Sequence, residues 1–452
     1  MSQKIPKRVT TAILQSLSAG VVPRIGAEHI AVGRKSEIEA LLHDLDEVIV
    51  EGGATFRVIV GRYGSGKSFL IQLIRNYALQ RNFVVADADL SPQRRLTGSK
   101  EQGLALYREL LNNMATRTRP DGNAFAALLE KWISSIQSQV IQSGMTPSAP
   151  NFTSVVEQQI HATINDMEGM VHGFDFAAVI NAYWQGHQSG NDELKGAALR
   201  WLRGEFNTKV EARQALNVRV IIDDESWYDH IKLMAQFVRH IGYEGLIIFL
   251  DEAVNLYKIS HTISRNNNYE RLLTIYNDTL QGKAGYLGIL VGATPQMVED
   301  TRRGIFSYEA LKTRLEESRF VRDGLRDMAS PLIRLAVLSH TEIFLLLQRI
   351  REVHGVHHSY EPGINDAQVQ TFMTEVLNRI GADALLTPRE VIRDFVALLN
   401  ILQQNRDKTF ESLLSQVDFK SATSPLDPDV LTPETEIRDD EPEESPYSSF
   451  KI

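Results

Sequence analysis

Eight residues, Gly61-Arg-Tyr-Gly-Ser-Gly-Lys-Ser68, have the types and spacing of a phosphate cradle. They satisfy G-x-x-x-x-G-K-[ST] at every fixed position. Gly61, Gly64 and Gly66 let the backbone wrap close to an anion and present N–H groups to it. Lys67 supplies a charge that can follow the β- and γ-phosphates of ATP, and Ser68 a hydroxyl for Mg²⁺. Tyr63, Ser65 and Phe69 complete the nucleotide-contacting set. A glycine-rich turn capped by serine could look the same in isolation. Asp251-Glu252, directly after the apolar run Leu246–Leu250, argues against that reading. Asp251 suits Mg²⁺, usually through water, and Glu252 suits orienting and polarising an attacking water. A glutamate in that position favours hydrolysis over a purely held nucleotide.

These groups need elements that bring them together. Phe56–Val60 is a short β-branched run ending at Gly61 and reads as a buried strand. Lys67–Arg81 follows as a helix apolar on most faces, so the loop lies between strand and helix, as the motif requires. Phe83–Ala88, Leu246–Leu250, Leu287–Val291 and Leu332–Val337 read as further strands. Strands alternating with helices predict an α/β fold, a parallel sheet covered on both faces. A buried strand ending at Asp251 delivers that carboxylate to the sheet's C-terminal edge, beside the phosphate loop.

The spacing of further polar residues resembles AAA+ ATPases. Thr294, ending Leu287-Gly-Ile-Leu-Val-Gly-Ala-Thr294, resembles sensor 1, although a plain strand-capping threonine fits too. Val32-Gly33-Arg34 with Glu37 resembles the base-binding segment of initiator-type members. Arg314, in Lys312-Thr-Arg314-Leu315, resembles an arginine finger. Arg389, in Thr387-Pro-Arg389, resembles sensor 2 of a lid, although a surface arginine at a helix start is a close rival.

The resemblance narrows with the stretches GVVP (20–23), HIGYEGLIIFLDEAVNLYKI (240–259), NNNYERLLTIYND (266–278) and RRGIFSYEALKTRL (302–315). Together they resemble the BrxD-type ATP-binding family of bacterial phage-defence islands, from about residue 8 to 400. That resemblance implies a homo-oligomeric partner of a large helicase and other defence proteins, acting with DNA. A slow-turnover scaffold or signalling switch, without direct DNA action, is the alternative. A nucleotide kinase would need a phosphate-acceptor site, and none is evident.

The expected organisation is an N-terminal helical segment (1–50), an AAA+ core (51–340) with a helical insertion at about 91–230, a C-terminal helical lid (341–420) and an acidic tail (421–452). All four tryptophans lie in the insertion, a region short in a minimal AAA+ core. The tail carries nine acidic residues against two basic ones and five prolines, so it is expected to be a solvated, disordered segment. That leaves the rest of the chain nearly neutral, and global charge neither supports nor excludes nucleic acid. Deleting the tail is therefore expected to leave basal ATPase activity intact. A melting temperature lowered by several degrees would point instead to a docked tail.

Cysteine is absent, which excludes disulfides and thiolate chemistry. No run approaches the ~20 apolar residues of a membrane helix, and the N-terminus lacks the pattern of a signal peptide. Cytoplasmic residence without membrane contact is expected. Two weaker signals remain. His354, His357 and His358 read as a solvated helix end rather than a metal site. The basic stretch Ser91–Lys100 could face nucleic acid or be ordinary surface.

Overall fold

The computed structural model describes residues 5–415, except 319, 322–324 and 380–387. The acidic tail and Thr387 lie outside the described residues. Five strands, β1 (Ala54–Val60), β2 (Val84–Asp89), β3 (Leu246–Asp251), β4 (Leu287–Ala293) and β5 (Leu332–Arg334), form one sheet in the order β2-β3-β4-β1-β5. Every pairing is parallel. The five strands expected from the sequence are all present. β5 stops at Arg334, shorter than the expected run to Val337.

Strand alternation sorts side chains onto two faces. Phe56, Val58 and Val60 of β1, and Leu246, Ile248 and Leu250 of β3, join one core. Ile59, Ile247 and Phe249 join a second core with Leu70, Ile71 and Ile74 of the helix Lys67–Gln80. Asp251 continues the Ile247–Phe249 parity. It therefore arrives on the face carrying the helix that begins at Lys67. The phosphate loop and Asp251 leave from strands on either side of β4.

Arg57 shares this second face and is buried. Its guanidinium forks onto Asp44 at 2.6 and 2.7 Å and donates to the carbonyls of Met328, Ala329 and Ser330. The pairing meets the burial requirement of a charge and fixes the segment leading into β5.

The insertion contains the helices Gln102–Asn112, Phe125–Gln142, Phe152–Glu168, Gly173–Ser189, Asp192–Leu202 and Lys209–Leu216, and it leads into Trp227–His240. Trp132, Trp184, Trp201 and Trp227 are all buried in the first core, continuous with the sheet. The basic stretch Ser91–Lys100 is tied to the chain rather than free. Asp224 accepts from the Thr97 hydroxyl and the Gly98 N–H, Asn268 accepts from the Leu96 N–H, and Arg94 pairs with Glu109 at 3.2 Å.

A third core unites the helices His340–His358, Asp366–Arg379, Pro388–Gln404 and Phe410–Leu414 with the first helix, Lys7–Ser18. Ile13, Leu14 and Leu17 pack there with Leu347, Ile350 and Phe395. Residues 5–50 thus divide between two cores, because Leu41, Leu45 and Ile49 belong to the sheet's second face.

The histidine cluster departs from the expected solvated helix end. His354 is fully buried, held between the Asn400 side chain at 3.0 Å and the Tyr360 hydroxyl at 2.9 Å. Burial lowers its pKa, so the ring packs as a neutral hydrogen-bonded group. His357 contacts Thr10 of the first helix at 3.0 Å. Among the described residues, no helix is long and apolar enough to cross a membrane.

Candidate nucleotide site

One cavity of about 260 Å³ opens at the C-terminal edge of the sheet. Its polar floor is the phosphate loop. Gly66 starts the helix in the left-handed region (φ 89°), a conformation glycine adopts without a side-chain clash. Lys67 Nζ donates to the carbonyls of Gly61 at 2.7 Å and Arg62 at 3.1 Å. Ser68 Oγ donates to Asp251 Oδ2 at 2.6 Å. The hydroxyl and carboxylate named for Mg²⁺ are therefore in contact across 183 residues of sequence.

Asp251 fits because position 292 on neighbouring β4 is glycine. A Cβ there would lie 2.3 Å from Asp251 Oδ1 and 3.1 Å from Ile71. Glu252 follows with a left-handed backbone (φ 55°), and its N–H donates to Asp251 Oδ1 at 2.8 Å. A non-glycine residue held there is strained, and the strand-end geometry turns the second carboxylate into the cavity lining. Burial, then the charges of Asp251 and Asp89, push the Glu252 carboxyl above the usual carboxylate range, against Lys67 and Lys258. Asp89, at the end of β2, is raised by burial and by Asp251. This crowding of negative charge fits a divalent cation, which would relieve it.

The structure brings Arg34, Tyr63, Gly64, Ser65, Gly66, Lys67, Ser68, Phe69, Asp251, Glu252, Thr294 and Arg389 to this one cavity. Thr294 also accepts from the Met297 N–H at 3.2 Å, so its hydroxyl caps the short helix Pro295–Glu299. Arg34 Nη2 donates to the Ser65 carbonyl at 2.9 Å and also to the Ala336 carbonyl. Its guanidinium thereby braces the loop's backbone. Gly61 and Gly33 are not among the lining residues. Gly33 borders a neighbouring cavity of about 450 Å³ with Glu37 and Arg326. Arg314 also lies away from the cavity. It is exposed on the helix Glu309–Leu315, donating to Asn277 Oδ1 at 3.1 Å and the Ala310 carbonyl at 2.8 Å.

Beside the polar floor runs an apolar wall that the sequence did not reveal as a site. Leu17, Val21, Val22 and Pro23 come from the N-terminal segment, and Leu346 and Ile392 from the C-terminal helices. GVVP had stood out in the sequence, but nothing in its apolar types separates a ligand wall from core. Lys258 and Gly292 were also missed. Lys258 is one of many lysines, and Gly292 acquires meaning only once β4 is seen beside β3.

A five-stranded parallel sheet with a phosphate loop after β1 and an acidic pair after β3 defines a P-loop protein of the AAA+ class. Residues 5–418 match the family described as BREX system ATP-binding protein BrxC/D, and the chain belongs to that family. It is an ATP-binding protein of the BREX phage-defence type. No curated protein matches the chain.

Proposed function

We propose that the chain hydrolyses ATP to ADP and phosphate with Mg²⁺, and that turnover drives remodelling or assembly of a defence complex acting with DNA and a helicase. The Ser68–Asp251 contact at 2.6 Å, with Glu252 next in sequence, is the observation that carries this reading. Lys67 exchanges its loop carbonyls for the β- and γ-phosphates. Ser68 and Asp251 would hold the Mg²⁺, which offsets phosphate charge when bound. Glu252 orients the attacking water and, by accepting its hydrogen bond, raises the electron density on the water oxygen. It takes the proton as that oxygen bonds to the γ-phosphorus and the bond to ADP breaks. The apolar wall receives the base, and Arg34 keeps the loop in shape.

The test is Glu252→Gln. It is expected to retain ATP binding and to slow hydrolysis at least tenfold, a barrier rise of ~1.4 kcal/mol. Stability should move the other way. A carboxyl whose folded pKa is raised stabilises the fold fully at pH below its unfolded pKa and loses that contribution as pH rises through the folded value. At neutral pH the ionised Glu252 is therefore a cost to the fold, and the glutamine variant without nucleotide should melt no lower than wild type. An unchanged turnover number would reduce Glu252 to a neighbour of Asp251 and favour the slow-turnover scaffold.

A further inference from the structure

Arg389 stands at the start of the helix Pro388–Gln404, and Tyr63 stands in the phosphate loop, 326 residues earlier. The two meet at the cavity lining. Arg389 Nη1 donates to the Tyr63 hydroxyl at 2.6 Å, and the guanidinium carbon lies 5.2 Å from the ring centroid. The aliphatic stem passes Gly20, where an added Cβ would come 3.4 Å from Arg389 Cγ. Tyr63 is half exposed at 49%, so its ring is not held there by a core. Neither loop motif nor sheet demands an aromatic at this position, which is an unspecified x of the loop pattern.

We propose that Tyr63 is a positioning residue for Arg389. Its hydroxyl and ring hold the Arg389 guanidinium over the phosphate loop before nucleotide arrives, with Gly20 leaving room beside the stem. This rests on the reading of the cavity as the ATP site. A free arginine side chain has many rotamers to lose on meeting a phosphate. Tyr63 removes most of that loss in advance, through a charge-assisted hydrogen bond and a cation–π contact. The gain goes to the nucleotide whose terminal phosphate Arg389 reaches, so Tyr63 favours ATP over ADP. A loop that merely needed bulk at position 63 would show no such preference.

The experiment measures ATP and ADP affinities, by calorimetry on the full chain, for wild type, Tyr63→Phe, Tyr63→Ala, Arg389→Ala and the double variant Tyr63→Ala/Arg389→Ala. Tyr63→Ala is expected to weaken ATP binding about tenfold and Tyr63→Phe about threefold, with ADP affinity changed much less. Arg389→Ala should weaken ATP binding at least as much as Tyr63→Ala. The double variant should then bind ATP no more weakly than Arg389→Ala alone, because Tyr63 acts through the arginine. Independent, additive losses would overturn the proposal. So would equal losses for ATP and ADP, unchanged or tighter ATP binding in Tyr63→Ala, or full ATP affinity in Tyr63→Phe should the alanine variant not fold. Failure of the wild type to bind ATP at all would instead overturn the reading of the cavity itself.

Discussion

Lys67→Ala is expected to bind ATP at least a hundredfold more weakly than wild type, a loss of roughly 2.8 kcal/mol. The lysine amine sits on the Gly61 and Arg62 carbonyls at the rim of the loop, within a lining whose other nearby charges include Asp251 and Glu252. Without the amine, a triphosphate would face those carboxylates with one less opposing charge, in a partly buried setting where pairing matters more than in water. The fold should survive. The helix beyond is anchored by Leu70, Ile71 and Ile74, all buried in the second core, and of the two carbonyls the amine leaves, that of Arg62 lies at the exposed rim. Calorimetric titration with ATP, alongside a thermal melt, separates the two effects. Wild-type affinity in the variant would contradict the assignment of the cavity. Lost affinity together with a collapsed melt would show only that the loop had come apart.

Arg314→Ala is expected to bind ATP normally yet to turn over about a thousandfold more slowly, the lower end of what an arginine reaching transferring phosphate supplies. Within its own chain the side chain is exposed and turned onto Asn277, away from the cavity. It would therefore act on the ATP of a second copy, and a lone monomer would lack it. Hydrolysis per subunit should accordingly rise with protein concentration. Mixing is the sharper test. Arg314→Ala subunits keep Glu252, and Glu252→Gln subunits keep Arg314. A junction that joins the ATP site of the first to the arginine of the second is complete, so the mixture should recover activity that neither variant has alone. Activity independent of concentration, with no recovery on mixing, would leave Arg314 a surface residue and the protein a monomeric switch.

The sheet and the polar half of the site were legible in the sequence because both rest on local rules. Val58 and Ile59 read as strand from their branching, and Lys67 and Ser68 follow a glycine pattern that tolerates little variation. Asp251 could be placed because strand parity and a C-terminal edge leave it few destinations. The apolar half was hidden. Val21, Val22 and Leu346 have the same types as core residues, and only the third dimension shows that they face a void. His354 was misread for a related reason. The run of three histidines looked like a polar helix end, whereas one of the groups that holds His354, Asn400, arrives from 46 residues further along the chain and the other, Tyr360, folds back just past the end of the helix. The insertion yields its burial pattern, with four tryptophans inward, but no sequence signal says what its outer surface meets.

The first helix of the described chain packs in the same core as the last ones, and both ends contribute walls to the nucleotide cavity. On a ribosome this orders events. Lys7–Ser18 emerges early, with Ile13, Leu14 and Leu17 bare, and waits through the synthesis of the whole sheet and insertion for Phe395 and Val396. The sheet, with its phosphate loop and acidic pair, can form before then. The apolar wall of the cavity cannot close until the helix Pro388–Gln404 is out of the exit tunnel. A chain broken off before residue 388 would carry the phosphate loop and acidic pair without Arg389 or Ile392. Copies broken off before residue 388 would thus lack a finished site, and only chains carried past the helix Pro388–Gln404 would have both walls of the cavity.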